Sequence, residues 1–223
     1  MSNTVQQLFE TNIENINIIK KLSGGLSNEI YLINNKYIWK IFKNKYLFDH
    51  KSEKDIFNNL REYHLYYYDE NNICYNYIEG ISVSDDYLFT NLDKVVLLTK
   101  KYHSTRINSI DNFWFDILPK WFDLLPTDLN FTNKEVIVSK YNSFNNKLRD
   151  ISITNDLVLC HHDIHSGNII KNNNTLHLID LEFSFNNYYF VDLGNLICEL
   201  FTDYNKEVYN FELIDDTIIL RVL

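Results

Sequence analysis

The stretch from Leu157 to Glu182 constrains this chain more than any other. Leu157 to Cys160 is a short apolar run that reads as a buried strand. Ile169 to Lys171 and Thr175 to Ile179 read as two further strands joined by the turn Asn172-Asn173-Asn174. In a hairpin centred on that turn, Asn168 enters and Asp180 leaves at the same end. Asp163 lies in the loop feeding that end, and Glu182 follows just beyond. Local geometry alone therefore predicts a carboxamide and two carboxylates at one open edge. Hard oxygen ligands of this kind suit Mg²⁺, which keeps several waters and binds one or two carboxylates together with substrate phosphates.

The spacing within this stretch points to phosphoryl transfer. His161-x-Asp163 with Asn168 five residues on repeats the pattern H-x-D-x-x-x-x-N. In kinase catalytic loops that Asp accepts the substrate hydroxyl proton and the Asn holds a metal. Asp180 then takes the place of the metal-binding Asp. The plain alternative is a polar loop and turn in an Asn-rich chain, but the ordered set His161, Asp163, Asn168 and Asp180 is hard to obtain by accident.

Residues 16 to 78 read mostly as strands: Ile16 to Leu22, Glu29 to Ile33, Tyr37 to Phe42 and Ile73 to Ile78 are rich in β-branched and aromatic residues. The first turn carries Ser23-Gly24-Gly25-Leu26-Ser27-Asn28. Its backbone N–H groups, with Ser and Asn side chains, suit a phosphate cradle, although a Gly-Gly hairpin turn is also common without one. Lys40 shares its strand face with Ile38 and Phe42, a setting in which an ammonium needs an anionic partner. Glu53 supplies one: in the helix expected over Asp49 to Leu60 it lies on the same face as Ile56, Phe57 and Leu60. A strand Lys paired with a helix Glu positions ATP phosphates in kinases. Snorkelling for Lys40 and a solvated flank for Glu53 are the alternatives.

After Glu79-Gly80 the pattern turns helical, over Leu92 to His103, Trp114 to Leu125 (interrupted by Pro119) and Thr132 to Leu148. The expected fold class is α+β and bilobal, protein-kinase-like. Residues 1–79 would form a small β-rich ATP-binding lobe, and residues 80–223 a larger, mostly helical catalytic and substrate lobe. In the helix expected from Asp192, Leu193, Leu196, Ile197, Leu200, Phe201 and Tyr204 form the buried stripe, while Asp192, Asn195 and Glu199 line another face. Asp192 and Asn195 are expected to brace the catalytic loop.

At 223 residues the chain can bury a substantial core. No apolar run is long enough to span a membrane, and the N-terminus lacks the signature of a secretory signal. With a net charge of -9 and no basic block, nucleic acid and anionic membrane surfaces are poor partners, and a cationic substrate is compatible. Cys74, Cys160 and Cys198 form no C-x-x-C pair and read as free thiols of a reducing, cytoplasmic setting. Cys160 and His161 are strand neighbours pointing to opposite faces, which disfavours a nucleophile–base pair.

Four segments carry a family likeness: Gly24 to Asn28, Cys160 to Ile170, Ile179 to Ser184, and Asp192-Leu193-Gly194-Asn195-Leu196-Ile197-Cys198-Glu199. The chain resembles the choline/ethanolamine kinase family, within the broader group of aminoglycoside-phosphotransferase-like small-molecule kinases. The resemblance implies ATP and Mg²⁺, Asp163 as catalytic base, and Asn168 and Asp180 as metal ligands with Glu182 close to the metals. It places Lys40 and Glu53 at the ATP-positioning pair, Ser27 and Asn28 in the phosphate loop, and Glu199, Tyr204 and Phe211 around a cationic amino alcohol. Aromatic faces and a carboxylate suit such a cation. Solvated Glu199 with Tyr204 and Phe211 in the core is the plain alternative.

The sequence departs from the family at two places. His165 stands where choline kinases usually carry Gln, and the chain ends at Leu223, ahead of the C-terminal helices that complete the family's choline pocket. An open pocket, or one completed by a partner chain in a homodimer, is therefore expected. Choline or ethanolamine is the leading acceptor. An aminoglycoside- or sugar-type phosphotransferase, a catalytically silent nucleotide-binding module, and a metallohydrolase built on His161, His162, Asp163 and His165 are the competing readings.

Overall fold

The computed structural model describes residues 1–22, 28–43, 50–124, 134–150, 157–203 and 208–209. Strands β1 (Ile19–Leu22), β2 (Asn28–Ile33), β3 (Tyr37–Phe42), β4 (Leu65–Tyr68) and β5 (Asn72–Asn76) form an antiparallel sheet in the order β1-β2-β3-β5-β4. β3 is central, and side-chain alternation splits it between two cores. Tyr37 and Trp39 join Tyr31, Ile33 and Cys74 on the face covered by Phe9 of helix α1 (Asn3–Asn12). Ile38, Lys40 and Phe42 take the opposite face. There Phe42 meets Ile56 and Phe57 of α2 (His50–Asn59), in a core that continues to Leu98, Leu159 and Leu196. Ile56 and Phe57 are buried, and burying each side chain contributes roughly 1.5–3 kcal/mol.

Two differences from the sequence pattern stand out here. The first strand begins at Ile19 instead of Ile16, and α1 precedes it, with Phe9 as its one fully buried residue. So thin an apolar stripe gives little periodic signal. Ser2 starts the helix by accepting a hydrogen bond from Val5 N at 3.4 Å.

After β5 the chain passes through Gly80, at φ 149°, into β6 (Ile81–Ser82). There it leaves the first sheet and joins another. Helices α3 (Asp85–Thr90) and α4 (Leu92–His103) follow. The single helix expected over Trp114 to Leu125 is instead a π-helical turn, Phe113–Ile117, running into α5 (Leu118–Asp123). Asn112 accepts from Phe115 N at 3.0 Å and starts the helix early. Pro119 falls in the first turn of α5, where its missing N–H costs nothing. α6 spans Lys134–Asp150.

The remaining strands carry the loops of interest. β7 (Val158–Cys160) pairs with β10 (Phe185–Asn187), and the expected hairpin forms from β8 (Ile169–Asn172) and β9 (Thr175–Leu178), with β6 on the other side of β8. α7 (Phe190–Leu200) closes this half, followed by the short strands β11 (Thr202–Asp203) and β12 (Val208–Tyr209). Cys74, Cys160 and Cys198 are free thiols. Among the described residues no helix is long and apolar enough to cross a membrane.

Candidate active site

The hairpin brings its polar ends together as its register requires. Ile169 pairs with Leu178, so Asn168 and Asp180 flank the same open end. The Asn168 amide donates to the Asp163 backbone oxygen at 3.0 Å and to Asp163 Oδ2 at 2.8 Å. Both partners are acceptors, so the amide's NH₂ group faces Asp163 and its Oδ1 is turned elsewhere. His165 Nδ1 accepts from Gly167 N at 3.1 Å, leaving Nε2 to face Asp163 Oδ2 at 3.7 Å.

A second layer holds this loop from behind. Asp192, fully buried on α7, accepts from His161 N at 2.8 Å and His162 N at 2.7 Å. Its Oδ2 also lies 2.8 Å from Nε2 of His103, at the end of α4. Asn195, one turn on, accepts from Ile164 N at 2.6 Å. Burial pushes the Asp192 carboxyl up, but the bond from His103 and the neighbouring imidazole and backbone N–H groups outweigh it and hold the carboxyl below its ordinary range. The bracing expected of Asp192 and Asn195 is what the geometry shows.

Lys40 reaches across from the sheet. Its Nζ lies 2.9 Å from Glu53 Oε1, 2.9 Å from Glu182 Oε2 and 3.4 Å from Asp180 Oδ1. The lysine side chain is only 1% exposed, so these carboxylates are what keeps it charged. Burial alone would lower its pKa; Glu53, Asp180 and Glu182 raise it well above the ordinary value. Glu53 is held below its usual range, because Lys40 and His50 outweigh desolvation. Glu182 is raised, chiefly by burial and then, against the pull of Lys40, by the Asp180 charge. Asn28 donates to Glu182 and accepts from Lys43 N at 3.3 Å.

A cleft of about 740 Å³ lies between the sheet and the hairpin, with Ile30 and Ile38 on one wall and Ile170 and Ile179 on the other. Asp163, Asn168, Asp180, Glu182 and Asn28 all line it. Three carboxylates about one ammonium leave an excess of negative charge beside the Asn168 carboxamide. That donor set, hard oxygens only, fits Mg²⁺. Glu53 sits behind the cleft wall, on Lys40. Glu199 is half-buried on α7 and does not line the cleft. Ser27, Tyr204 and Phe211 lie outside the described residues, as do Gly24 and Gly25.

The histidines do not converge as a metal site. His161 Nδ1 accepts from Asp163 N at 3.3 Å and its Nε2 binds Ile179 O at 2.9 Å. Both nitrogens of His162 are likewise engaged, at 2.9 Å by Phe183 O and at 2.8 Å by Asn187. This removes the basis of the metallohydrolase reading. Sequence reasoning passed over the ties made by His103 and His162, because each spans elements whose proximity only the fold creates.

A five-stranded antiparallel sheet with a buried Lys–Glu pair, set over a braced H-x-D loop and a polar-ended hairpin, is the arrangement of the protein-kinase-like fold. The comparisons with known proteins agree. Residues 19–220 match the family model "Choline/ethanolamine kinase", and the chain belongs to that family. It is 36% identical over 95 residues to a human choline/ethanolamine kinase, a match covering 40% of this chain and 24% of that protein. The matched part thus spans about a quarter of the human relative's length. Among solved structures, the choline kinase LicA from Streptococcus pneumoniae in complex with AMP superposes with a TM-score of 0.76 at 20% identity, over 100% of this chain and 81% of that one. The streptomycin–ATP complex of the aminoglycoside phosphotransferase APH(2")-IIa gives 0.68 at 18% identity, over 100% and 81%. These structures share the fold.

Proposed function

We propose that this chain transfers the γ-phosphoryl group of ATP to the hydroxyl of a small amino alcohol, choline or ethanolamine. The observation that carries this reading is the contact of the Lys40–Glu53 pair with Asp180, which lines one cleft together with Asp163 and Asn168, from elements far apart in sequence. Asp163 orients the acceptor hydroxyl and takes its proton. The Asn168 bond fixes Oδ2, leaving Oδ1 to face the acceptor. Lys40, held by Glu53, contacts the phosphates of ATP, with Ser27 and Asn28 at the phosphate turn. Asn168 and Asp180, with Glu182, would hold Mg²⁺. When bound, the metal supplies positive charge against the phosphate oxygens. Glu199, Tyr204 and Phe211 surround the acceptor's cationic end.

In this proposal residues 1–79 and 80–223 act as separate lobes with ATP between them, in a cytoplasmic protein. The chain's negative charge and family membership support the amino-alcohol acceptor. This chain's likeness in fold to an aminoglycoside phosphotransferase makes a bulkier acceptor the second reading.

The test is product identification by ³¹P NMR after incubation with Mg²⁺-ATP and choline, ethanolamine, an aminoglycoside or no acceptor. A phosphocholine or phosphoethanolamine signal is the expected result. An aminoglycoside phosphate alone would shift the assignment to the second reading. ATP binding without any product would contradict both.

A further inference from the structure

His162 sits between the two halves of the site, and its backbone is left-handed, at φ 64°. A residue other than glycine needs support in that conformation. The Asp192 carboxylate supplies part of it by accepting from His162 N at 2.7 Å. The side chain supplies the rest. Its Nδ1 is 2.9 Å from Phe183 O, its Nε2 is 2.8 Å from Asn187 Nδ2, and the Phe113 ring packs at 4.7 Å.

The direction of this network follows from the backbone. Tyr188 N–H donates to Asn187 Oδ1 at 2.8 Å, so the Asn187 NH₂ group must face the imidazole. His162 Nε2 therefore accepts, and Nδ1 carries the proton and donates to the Phe183 carbonyl. Phe183 adjoins Glu182 and lines the cleft; His162 adjoins Asp163. His161 makes a matching tie to Ile179 O. The loop carrying Asp180 and Glu182 is thus fastened at both ends to the loop carrying Asp163.

We propose that His162 is a positioning residue for phosphoryl transfer. As a neutral Nδ1–H imidazole it fixes the Asp163 loop against the Asp180 loop, and it stabilises the left-handed turn that presents Asp163 to the cleft. This rests on the reading of Asp163 as proton acceptor. Glycine at this position would take the same backbone without strain but lose the tie; alanine would lose both. The two variants therefore separate backbone from imidazole.

The experiment compares wild type, His162→Gly and His162→Ala as full chains, by kcat, KM for ATP and Tm, with the acceptor that the wild type phosphorylates. His162→Gly is expected to lose about tenfold or more in kcat while KM for ATP stays within about twofold, with some fall in Tm from the partners the imidazole leaves behind. His162→Ala is expected to match that kcat loss and to melt lower still, by the strain of its left-handed backbone. Wild-type kcat in His162→Gly would overturn the proposal. So would a kcat loss matched by a comparable rise in KM for ATP, which marks a purely structural residue. If the wild type phosphorylates none of the acceptors, the proposed function fails, and ¹⁵N-resolved histidine NMR still tests the tie. The Nδ1–H tautomer at His162 supports it, and the Nε2–H tautomer overturns it.

Discussion

The Asn168 amide donates a hydrogen bond to Asp163 Oδ2 at 2.8 Å, so the group proposed to hold metal also orients the group proposed to accept the substrate proton. Replacing Asn168 by Asp would set a second carboxylate against the first, raising one of the two pKa values and turning attraction into repulsion. The expected outcome for Asn168→Asp is a fall in kcat of about two orders of magnitude or more, measured by steady-state ADP release. Turnover at the wild-type rate would show that the bond has no catalytic consequence.

Lys40 lies among three carboxylates and is almost wholly enclosed. Lys40→Met would strand Glu53 and Glu182 without their cation, at an expected cost of about 3–5 kcal/mol in chemical denaturation. Glu182→Gln should behave oppositely. The Glu182 pKa is raised in the fold, so folding favours its protonated form. Its penalty on stability grows as pH rises from the unfolded value of about 4.3 through the folded one, and persists above it. The glutamine variant is therefore expected to be at least as stable as wild type at pH 7. Wild-type stability in Lys40→Met would contradict this account of the cluster.

The folded pKa values of Asp192 and Glu53 are depressed, which gives the opposite sign. Their stabilisation is fully present above the unfolded carboxylate values of about 4 and is lost as pH falls through the folded ones. Acid unfolding is expected below about pH 4. Asp192→Ala should destabilise the chain across the whole range, because it orphans two backbone N–H groups and His103. Circular dichroism against pH, on wild type and variant, checks both statements. An acid limb in the wild type that begins near pH 7 would contradict them.

Gly80 gives a prediction about the junction between the sheets. Its φ of 149° is unsuited to a side chain, and an added Cβ would meet Ile170 Cγ2 and Lys171 O at 2.6 Å. One neighbour is backbone and cannot swing aside. Gly80→Ala is expected to cost about 1–3 kcal/mol or more. An unchanged melting temperature would mean that the β6–β8 pairing yields easily.

Much of this arrangement is legible in the sequence, for identifiable reasons. Asp163, Asn168 and Asp180 meet through the expected hairpin, although Asn172 pairs with Thr175 and only Asn173 and Asn174 make the turn, one residue from the register that Asn172-Asn173-Asn174 suggests. Lys40 and Glu53 were visible as charges on apolar faces, and Asp192 and Asn195 as polar residues on a helix otherwise built to be buried. Asn28 is expected at the phosphate turn; the structure shows it holding Glu182, a contact between residues 154 positions apart. No local pattern encodes that pairing, nor the ties from His103 to Asp192 and from His162 to Phe183. The π-helical turn at Phe113–Ile117 was hidden because Pro119 marks a break without telling how the chain resolves it.

The central claim is that Asp163 takes a proton from an amino alcohol during transfer from ATP. The most direct measurement is acceptor-dependent ADP release with Mg²⁺-ATP and choline or ethanolamine, on wild type and Asp163→Ala side by side. The account predicts stimulation by at least one of the two alcohols in the wild type and a loss of at least about 10²-fold in the variant, with ATP binding retained. Equal turnover in both proteins, or no stimulation by either alcohol, would contradict it.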